Sequence, residues 1–360
     1  MRPEAANKRI LVLRYRFIGD TILTVPFLRN LRRAEPEAWI SWLVAPDSSD
    51  VIKGIPYVDE LIYWDPATAH ADCRNTHLSL GGKLSFIREL RSMHFDKAYV
   101  LKRSLSSAII AFLSGARERI GFNTEGRGIL LTKRVAYHRD RHEVMNFLDL
   151  LKADGIAVTD DYLEAWLSDD ERAFADEFLA RQGIAAGEPL VAIHPFAANQ
   201  TRAWHEENFA AVANEIQRRY RARIIVFGGP RDQELGRRLA EAIVPAPVMA
   251  VGTTSLRQTM ALLARCSLLV CNDSGIMHVG AALNIPLVAL FGPQSPVKFG
   301  PWGEKCQIIY KGFPCSPCKQ KFFRECEPSP RMKPACMEDI SVAEVLEAIT
   351  NCERDLVRVG

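Results

Sequence analysis

One polar turn after an apolar run carries the clearest chemistry in this sequence. Residues 268–272 are followed by Asp273, Ser274 and Gly275, and the small residues that come next predict a helix. A strand that passes into a helix there aims free backbone N–H groups and a partial positive charge outward, which suits an anion. An ordinary turn whose helix is capped by Asp273 or Ser274 is the alternative.

A similar order of strand, turn and helix stands near the N-terminus. The β-rich run 9–14 precedes Gly19 and Asp20, and apolar residues then recur at helical spacing over 21–33, with Pro26 expected to bend that helix slightly. Asp20 is therefore predicted at the end of a strand, where a carboxylate can act as a base or cap the helix. It is the expected counterpart, in the first half of the chain, of the Asp273 turn.

Strands alternate with helices along the whole chain. Further strands are predicted over 39–44, 61–64, 96–101, 118–121, 190–194, 223–227, 287–291 and 306–310, and further helices over 82–93, 104–114, 142–154, 169–182, 206–220, 232–242 and 342–355. The alternation indicates α/β structure, with two doubly wound parallel sheets facing a central cleft. The predicted domains are 1–168, then 169–340 with a Cys-containing segment at 313–337. A C-terminal helix within 341–360 is expected to pack back towards the first domain.

Composition narrows the class of protein. The chain has 360 residues, of which 48% are hydrophobic, and no apolar run is long enough to span a bilayer. No signal-peptide core stands at the N-terminus, so a cytoplasmic protein is expected. A net charge of +3 argues against nucleic-acid binding, yet residues 82–152 hold 14 Lys and Arg against 7 Asp and Glu. That basic stretch is either a solvated face or a surface for an acidic substrate or an anionic membrane leaflet.

Five motifs in order resemble glycosyltransferase family nine, the heptosyltransferases of lipopolysaccharide assembly. They are residues 10–14 with 18–21, His194-Pro195 with 202–204, 228–230 with Asp232 and Glu234, 272–278, and 290–293. The resemblance implies a GT-B fold of two Rossmann-like domains, the first for the acceptor and the second for the donor. It also implies an ADP-heptose donor and inverting transfer without a metal or other cofactor.

The resemblance assigns roles to particular residues. It favours Asp20 as the catalytic base over a simple helix cap. The expected donor-binding residues are Arg202, Glu234, Asp273, Ser274, Gly275 and His278. Arg202 stands where the family usually has Lys, and the alternative is that Arg202 is simply solvated. A lone histidine such as His278 would more often have a structural role. Asp232 is the alternative to Glu234. Basic residues that suit an acidic acceptor are Arg14, Arg16, Lys102, Arg103 and Arg141.

Four of the nine cysteines form a separate pattern. Cys315, Cys318, Cys326 and Cys336 have the spacing C-x2-C-x7-C-x9-C in a segment with little apolar content. This spacing suits a structural four-thiolate zinc site or an iron–sulfur cluster. Free thiols or loop disulfides are the alternatives.

The sequence therefore predicts an inverting glycosyltransferase that moves a heptose from ADP-heptose to a lipopolysaccharide-core or related lipid-linked acceptor. It is expected at the inner face of the inner membrane as a peripheral protein, with membrane contact and no nucleic-acid partner. The alternatives are a glycosyltransferase or epimerase that uses another nucleotide sugar, and a non-catalytic module that binds a sugar nucleotide or a glycolipid.

Overall fold

Two α/β units make up the chain in the computed structural model, which describes residues 8–64, 80–318, 326 and 333–352. The units are Met1–Tyr162 and Leu163–Gly360, and the sequence placed the junction after 168. Parts of the predicted Cys-containing segment, 319–325 and 327–332, lie outside the described residues. The end of the predicted C-terminal helix, from 353 onward, lies outside them as well. Among the described helices, none combines the length and the apolar character needed to cross a membrane.

The first unit contains one six-stranded parallel sheet, in the order β3-β2-β1-β4-β5-β6. Its strands are β1 (Arg9–Leu13), β2 (Trp39–Val44), β3 (Glu60–Tyr63), β4 (Lys97–Val100), β5 (Glu118–Phe122) and β6 (Lys133–Val135). Its helices are α1 (Ile18–Ile22), α2 (Val25–Ala34), α3 (Pro46–Ser49), α4 (Leu80–Ser92), α5 (Leu105–Leu113) and α6 (Glu143–Ala153).

The second unit has a sheet of the same size, in the order β12-β11-β10-β7-β8-β9, again all parallel. Its strands are β7 (Leu190–His194), β8 (Arg223–Gly228), β9 (Val248–Val251), β10 (Leu268–Asn272), β11 (Leu287–Phe291) and β12 (Cys306–Tyr310). Its helices are α7 (Asp169–Arg181), α8 (Glu206–Tyr220), α9 (Gln233–Ala242), α10 (Leu256–Leu263), α11 (Gly275–Ala282), α12 (Pro296–Phe299), α13 (Ala335–Glu338) and α14 (Val342–Asn351).

Both sheets share one strand order. Counted from the first strand of each unit, the order is 3-2-1-4-5-6, that of the doubly wound dinucleotide-binding fold. The central strands β10 and β11 are buried along their whole length, as expected for parallel strands covered on both faces. The predicted α/β class with two Rossmann-like doubly wound domains is confirmed. In such sheets ligands bind where the strand order reverses, at the carboxyl ends of the first and fourth strands.

The structure corrects several details of the prediction. The helix expected over 21–33 is two helices, α1 and α2, because Pro26 has no N–H for helix hydrogen bonding and starts a new helix instead. The short elements β6, β9 and α10 were not predicted. The C-terminal helix α14 packs against α8, β11 and β12 of the second unit. Its apolar residues Val345 and Ile349, four residues apart on one face, are buried in the core of the second unit.

Candidate donor and acceptor sites

Asp20 lies just beyond the carboxyl end of β1, paired with an arginine. Its Oδ1 is 2.5 Å from a guanidinium nitrogen of Arg14, and both side chains are largely buried. The alternative that Asp20 caps its helix is wrong. Phe17 holds the N-cap position without a side-chain hydrogen bond, and Asp20 lies within α1. Its carboxylate is therefore not used in capping and remains directed to Arg14.

The backbone before Asp20 is strained. Arg16 and Phe17 have φ of 75° and 65°, in the left-handed region that side chains other than glycine seldom adopt. Such residues cost about 1–3 kcal/mol each and cluster at functional sites. Trp42 holds the start of this loop, because its Nε1 donates a hydrogen bond to the Arg14 carbonyl at 3.0 Å. This arrangement leaves the Phe17 ring 71% exposed.

The surroundings of Asp20 raise its pKa. Burial is the largest cause of this rise in pKa. The Arg14 charge lowers the pKa, the Glu143 carboxylate raises it, and the Lys102 charge lowers it. Glu143 was not predicted as a site residue, because a carboxylate at the start of a helix is unremarkable in a sequence. In the structure it is buried, accepts a hydrogen bond from the Tyr137 hydroxyl at 2.6 Å and lies 3.8 Å from Arg103.

Removing the Glu143 charge should make Asp20 more acidic. In Glu143→Gln one negative charge near Asp20 is lost, so the acid limb of the pH–rate profile for transfer should move to lower pH. The kcat profile, measured from about pH 4 to about pH 8, checks this. Glu89→Gln, which changes an exposed carboxylate of α4, should leave the limb in place. An upward shift would contradict the electrostatic link.

The other basic candidates of the first unit take different positions. Lys102 and Arg103 follow β4, the neighbour of β1 in the sheet. The Lys102 ammonium lies 3.8 Å from the Tyr15 ring centre, and the Arg103 guanidinium 4.1 Å from that of Tyr137. Arg14, Lys102 and Arg103 therefore surround the two carboxylates at the point where the strand order reverses.

The remaining two candidates lie farther along their loops. Arg16 is part of the strained loop, with its guanidinium 5.8 Å from the Phe17 ring centre. Arg141 precedes α6 and pairs with Asp149 at 2.7 Å. These contacts occupy each guanidinium in part and do not test a role in acceptor binding.

In the second unit, the equivalent edge of the sheet joins Arg202 and Asp273. The Arg202 Nη1 lies 3.2 Å from the Asp273 Oδ2, after the neighbouring strands β7 and β10 respectively. Position in the sheet also corrects one expectation. The counterpart of Asp20, after the first strand of its unit, is the 195–204 segment with Arg202, whereas the counterpart of the Asp273 turn follows β4.

Asn272 fixes the segment that carries Arg202. Its side-chain amide donates to the Pro195 carbonyl at 2.7 Å and accepts from the Trp204 backbone N–H at 3.1 Å. Trp204 is fully buried, and its indole N–H donates to the Ile340 carbonyl at 2.9 Å. The sequence motif included Asn272, but only the structure gives it this positioning role.

The start of α11 is the predicted anion site. Ser274 holds the N-cap position but makes no side-chain cap, so its hydroxyl does not satisfy the helix N–H groups. The Ser274 Oγ lies 3.4 Å from Nδ1 of His194, whose pKa burial lowers to about 4. His194 is therefore neutral at physiological pH. Gly275 is the first residue of α11, and His278 is buried one turn further along.

Glu234 occupies the first turn of α9, after β8. Its carboxylate is exposed and pairs with Arg237 at 3.0 Å, and Arg237 lowers its pKa. The alternative, Asp232, accepts a hydrogen bond from the Gly229 backbone N–H at 2.8 Å and so shapes the turn. Of these two carboxylates, Glu234 keeps the more accessible oxygen atoms for a ligand.

Asp273 should make the stability of the protein depend on pH. Burial raises its pKa from 3.8 to about 6 in spite of Arg202. A raised carboxyl pKa means that stability is fully present below the unfolded pKa and falls as pH rises through about 6. The loss should reach about 2–3 kcal/mol. Asp273→Asn cannot carry this charge. As the pH rises from about 4 to about 7, a range that includes the pKa of Asp273 in the unfolded and native states, the melting temperature of the variant should therefore rise relative to that of the native protein.

Thermal unfolding across that range measures the effect. Asp176→Asn alters an exposed carboxylate of the same unit and should show no such pH-dependent difference. Parallel melting curves for Asp273→Asn and the native protein at every pH would contradict the buried-charge account.

The four cysteines of the 313–337 segment are all free thiols. Cys336 is buried against Gly292, where a Cβ would stand 3.0 Å from its Sγ. Burial, together with the negative charge that the other three cysteines carry once ionised, raises the pKa of Cys336 to about 12. Within the described residues, no group of three or more His, Cys, Asp or Glu side chains is arranged to hold a metal ion.

The two units together define the class of protein. Each has the Rossmann-like strand order, and each places charged side chains at the reversal point of its sheet. Two such domains in one chain are the arrangement found in the GT-B fold.

Comparison with known proteins gives the family. The model of glycosyltransferase family 9 (heptosyltransferase) matches residues 83–326, more than half of the chain. The chain therefore belongs to glycosyltransferase family 9 and is a glycosyltransferase. The lipopolysaccharide heptosyltransferase 2 of Escherichia coli K12 is 28% identical over 317 residues, which cover 84% of this chain and 87% of that protein.

Solved structures agree with this assignment. The family 9 glycosyl transferase of Veillonella parvula superposes with a TM-score of 0.83 at 27% identity, covering 99% of both chains. The E. coli ADP-heptose LPS heptosyltransferase II has a TM-score of 0.75 at 24% identity, covering 97% of this chain and 99% of the other. At 24% identity, the likeness to the E. coli structure shows the fold alone.

Proposed function

We propose that this glycosyltransferase transfers a heptose from ADP-heptose, with inversion, to a lipopolysaccharide-core or related lipid-linked acceptor, and that Asp20 is its general base. The observation that carries the proposal is the buried Arg14–Asp20 pair at the reversal point of the first sheet. The family supplies the chemistry, and the curated relatives are named as heptosyltransferases of lipopolysaccharide or lipooligosaccharide.

The reaction needs one proton acceptor and a stabilised leaving group. Asp20, deprotonated, takes the proton of an acceptor hydroxyl as that oxygen attacks the anomeric carbon from the face opposite ADP. The bond between the anomeric carbon and the diphosphate oxygen breaks, and ADP leaves with the electron pair. The raised pKa makes Asp20 a stronger base than an exposed aspartate.

The second unit is suited to holding the donor. The Arg202 guanidinium and the N-terminus of α11, with the Ser274 hydroxyl, stabilise the negative charge that grows on the diphosphate. Gly275 lets the backbone approach the phosphates. Asp273 would repel phosphate and therefore binds sugar hydroxyls or keeps Arg202 in place. His278 contributes to the same site, and Glu234 accepts hydrogen bonds from the ribose.

The acceptor is acidic in this proposal. Arg14 and Lys102 lie close to Asp20, and Arg103 lies close to Glu143. All three provide positive charge for phosphate or acidic sugar groups, and Arg16 and Arg141 extend that charge. A lipid-linked acceptor also requires the enzyme to work at a membrane surface as a peripheral protein.

Acceptor-dependent release of ADP tests the proposal. Purified enzyme is incubated with ADP-heptose, UDP- and GDP-sugars, each with and without a lipopolysaccharide-core acceptor. ADP should appear only with ADP-heptose and acceptor together. Turnover without acceptor would indicate an epimerase or hydrolase, preference for another nucleotide sugar would replace the donor, and binding without any turnover would indicate a non-catalytic module.

A structural metal at Cys315, Cys318, Cys326 and Cys336 stays a prediction from their spacing. Elemental analysis of protein purified without chelators should find about one zinc, or iron in cluster amounts, per chain. Cys336→Ser should lower that content and the melting temperature together. Metal-free native protein in which these four thiols are reduced and free to react would remove the idea.

A further inference from the structure

We infer that the exposed face of α5 docks the first unit on the surface of an anionic phospholipid bilayer. Four large apolar side chains of this helix are solvent-exposed: Leu105 by 52%, Ile109 by 40%, Phe112 by 49% and Leu113 by 36%. The inference rests on the proposed function only in the lipid-linked nature of the acceptor; binding to lipid is measured without any reaction.

The four side chains form one continuous face. Positions 105, 109, 112 and 113 follow the spacing of a single helix face, whereas Ala108 and Ala111 on the other side are buried in the unit. A surface helix normally turns polar residues outward, so an apolar outer face indicates a binding surface. Ile129, which is 80% exposed, comes from the 3-10 turn Arg127–Leu130 that packs beside α5 and enlarges the apolar area.

Arginines border the C-terminal end of this face. The Arg119 guanidinium lies 5.4 Å from the Phe112 ring centre. Arg91 of α4 lies against Gly115, with its Cγ 3.6 Å from where a Cβ would stand, and Arg117 is largely exposed. Two carboxylates lie among these arginines: Asp96, which is 4.0 Å from Arg117, and the exposed Glu118. The positive border fits anionic lipid headgroups, each nearby Lys or Arg adding to the attraction.

This combination favours a bilayer over a second copy of the chain. A two-fold contact through the same face would bring arginine borders together in an apolar setting, where like charges repel strongly. Anionic lipid offers acyl chains for the apolar face and phosphates for the arginines. At nine residues α5 is too short to span, so it lies in the plane of the interface.

The position of the face also suits its use. The N-terminal end of α5 meets the loop before Asp20, with the Tyr15 hydroxyl 3.0 Å from the Ser107 hydroxyl. Phe17 of that loop is itself exposed. Contact with the membrane through α5 therefore brings the proposed base to the level at which a lipid-linked acceptor presents its sugar.

Vesicle binding of charged variants tests the inference. Full-length protein, native and Ile109→Glu/Phe112→Glu, is sedimented with vesicles of phosphatidylethanolamine and phosphatidylglycerol, or of phosphatidylcholine alone. Native protein should bind the anionic vesicles and bind the neutral ones at least about tenfold more weakly. The double variant should lose at least about tenfold in partition to the anionic vesicles. The control Val244→Glu/Val297→Glu places the same charges at exposed apolar positions of the second unit and should bind as the native protein.

Activity assays separate this inference from the proposed function. The α5 variant should transfer poorly to an acceptor embedded in anionic vesicles, yet as well as the native protein to a deacylated, water-soluble acceptor. Equal vesicle binding by the α5 variant and the control would overturn the inference, as would a native dimer in sedimentation velocity that the α5 variant alone abolishes. Absence of transfer by native protein to either acceptor would instead count against the proposed function and leave the binding result standing.

Discussion

Asp20→Asn should reduce the rate of transfer by about a thousandfold, within the range for loss of a general base. The amide has nearly the same shape as the carboxylate but cannot take a proton at neutral pH. Because a buried carboxylate with a raised pKa costs folding free energy once ionised, the variant should melt at the same temperature as the native protein or higher at pH 7, a pH well above the ordinary aspartate value. Single-turnover kinetics with saturating ADP-heptose measure the loss directly.

Two further measurements make the result specific to the base. ADP affinity by calorimetry should be unchanged in Asp20→Asn, because the donor-binding candidates belong to the second unit. Asp140→Asn, an exposed carboxylate of the first unit, should transfer at the native rate. Near-native turnover by Asp20→Asn would refute the assignment of the base, and an equal loss in both variants would point to a general charge effect.

Transfer by the native enzyme should also fall at acid pH as Asp20 takes up a proton. The base acts only when ionised, and its pKa is raised by burial, so the acid limb should lie above the ordinary aspartate pKa of 3.8. Glu143→Gln should shift this acid limb to lower pH.

Arg202→Ala should lower kcat by about a hundredfold, the usual effect of removing one group that stabilises charge in the transition state. The guanidinium is 27% exposed and paired with Asp273, so it is available to a diphosphate while its position is fixed. Loss of Arg202 also leaves the Asp273 charge without its partner, so ADP binding should weaken. The loss in ADP affinity should be smaller than the loss in kcat, because the negative charge on the diphosphate grows in the transition state. Steady-state kinetics and ADP titration separate the two effects.

The lysine variant provides the matched comparison. Arg202→Lys keeps the charge and loses the planar fork of donors, so it should recover most of the rate. Arg218→Ala removes an exposed arginine of α8 that pairs with Glu215 and should have no effect on transfer. Equal losses in the alanine and lysine variants would indicate that guanidinium geometry, rather than charge, is required; no loss in either would exclude Arg202 from the donor site.

Much of the fold follows from local sequence pattern. Strands such as β7 and β11 and the helix α8 have the predicted bounds, because a buried parallel strand is a continuous apolar run and an amphipathic helix has a regular period. β6 and β9 escaped prediction because strands of three or four residues carry little pattern. Helix α14 was predicted from its apolar period, although an apolar face by itself does not say which core it joins.

The sequence by itself determined the alternation of strands and helices, and with the family motifs it pointed to Asp20 and to the turn at Asp273. Only the tertiary structure decided their partners. The pairing of Arg202 with Asp273 and the grouping of Glu143 with Asp20 join residues distant in the chain, which meet because parallel sheets bring the carboxyl ends of separate strands to one edge. The apolar outer face of α5 was likewise decided by packing, since the sequence shows an apolar helix but not which side the core leaves uncovered.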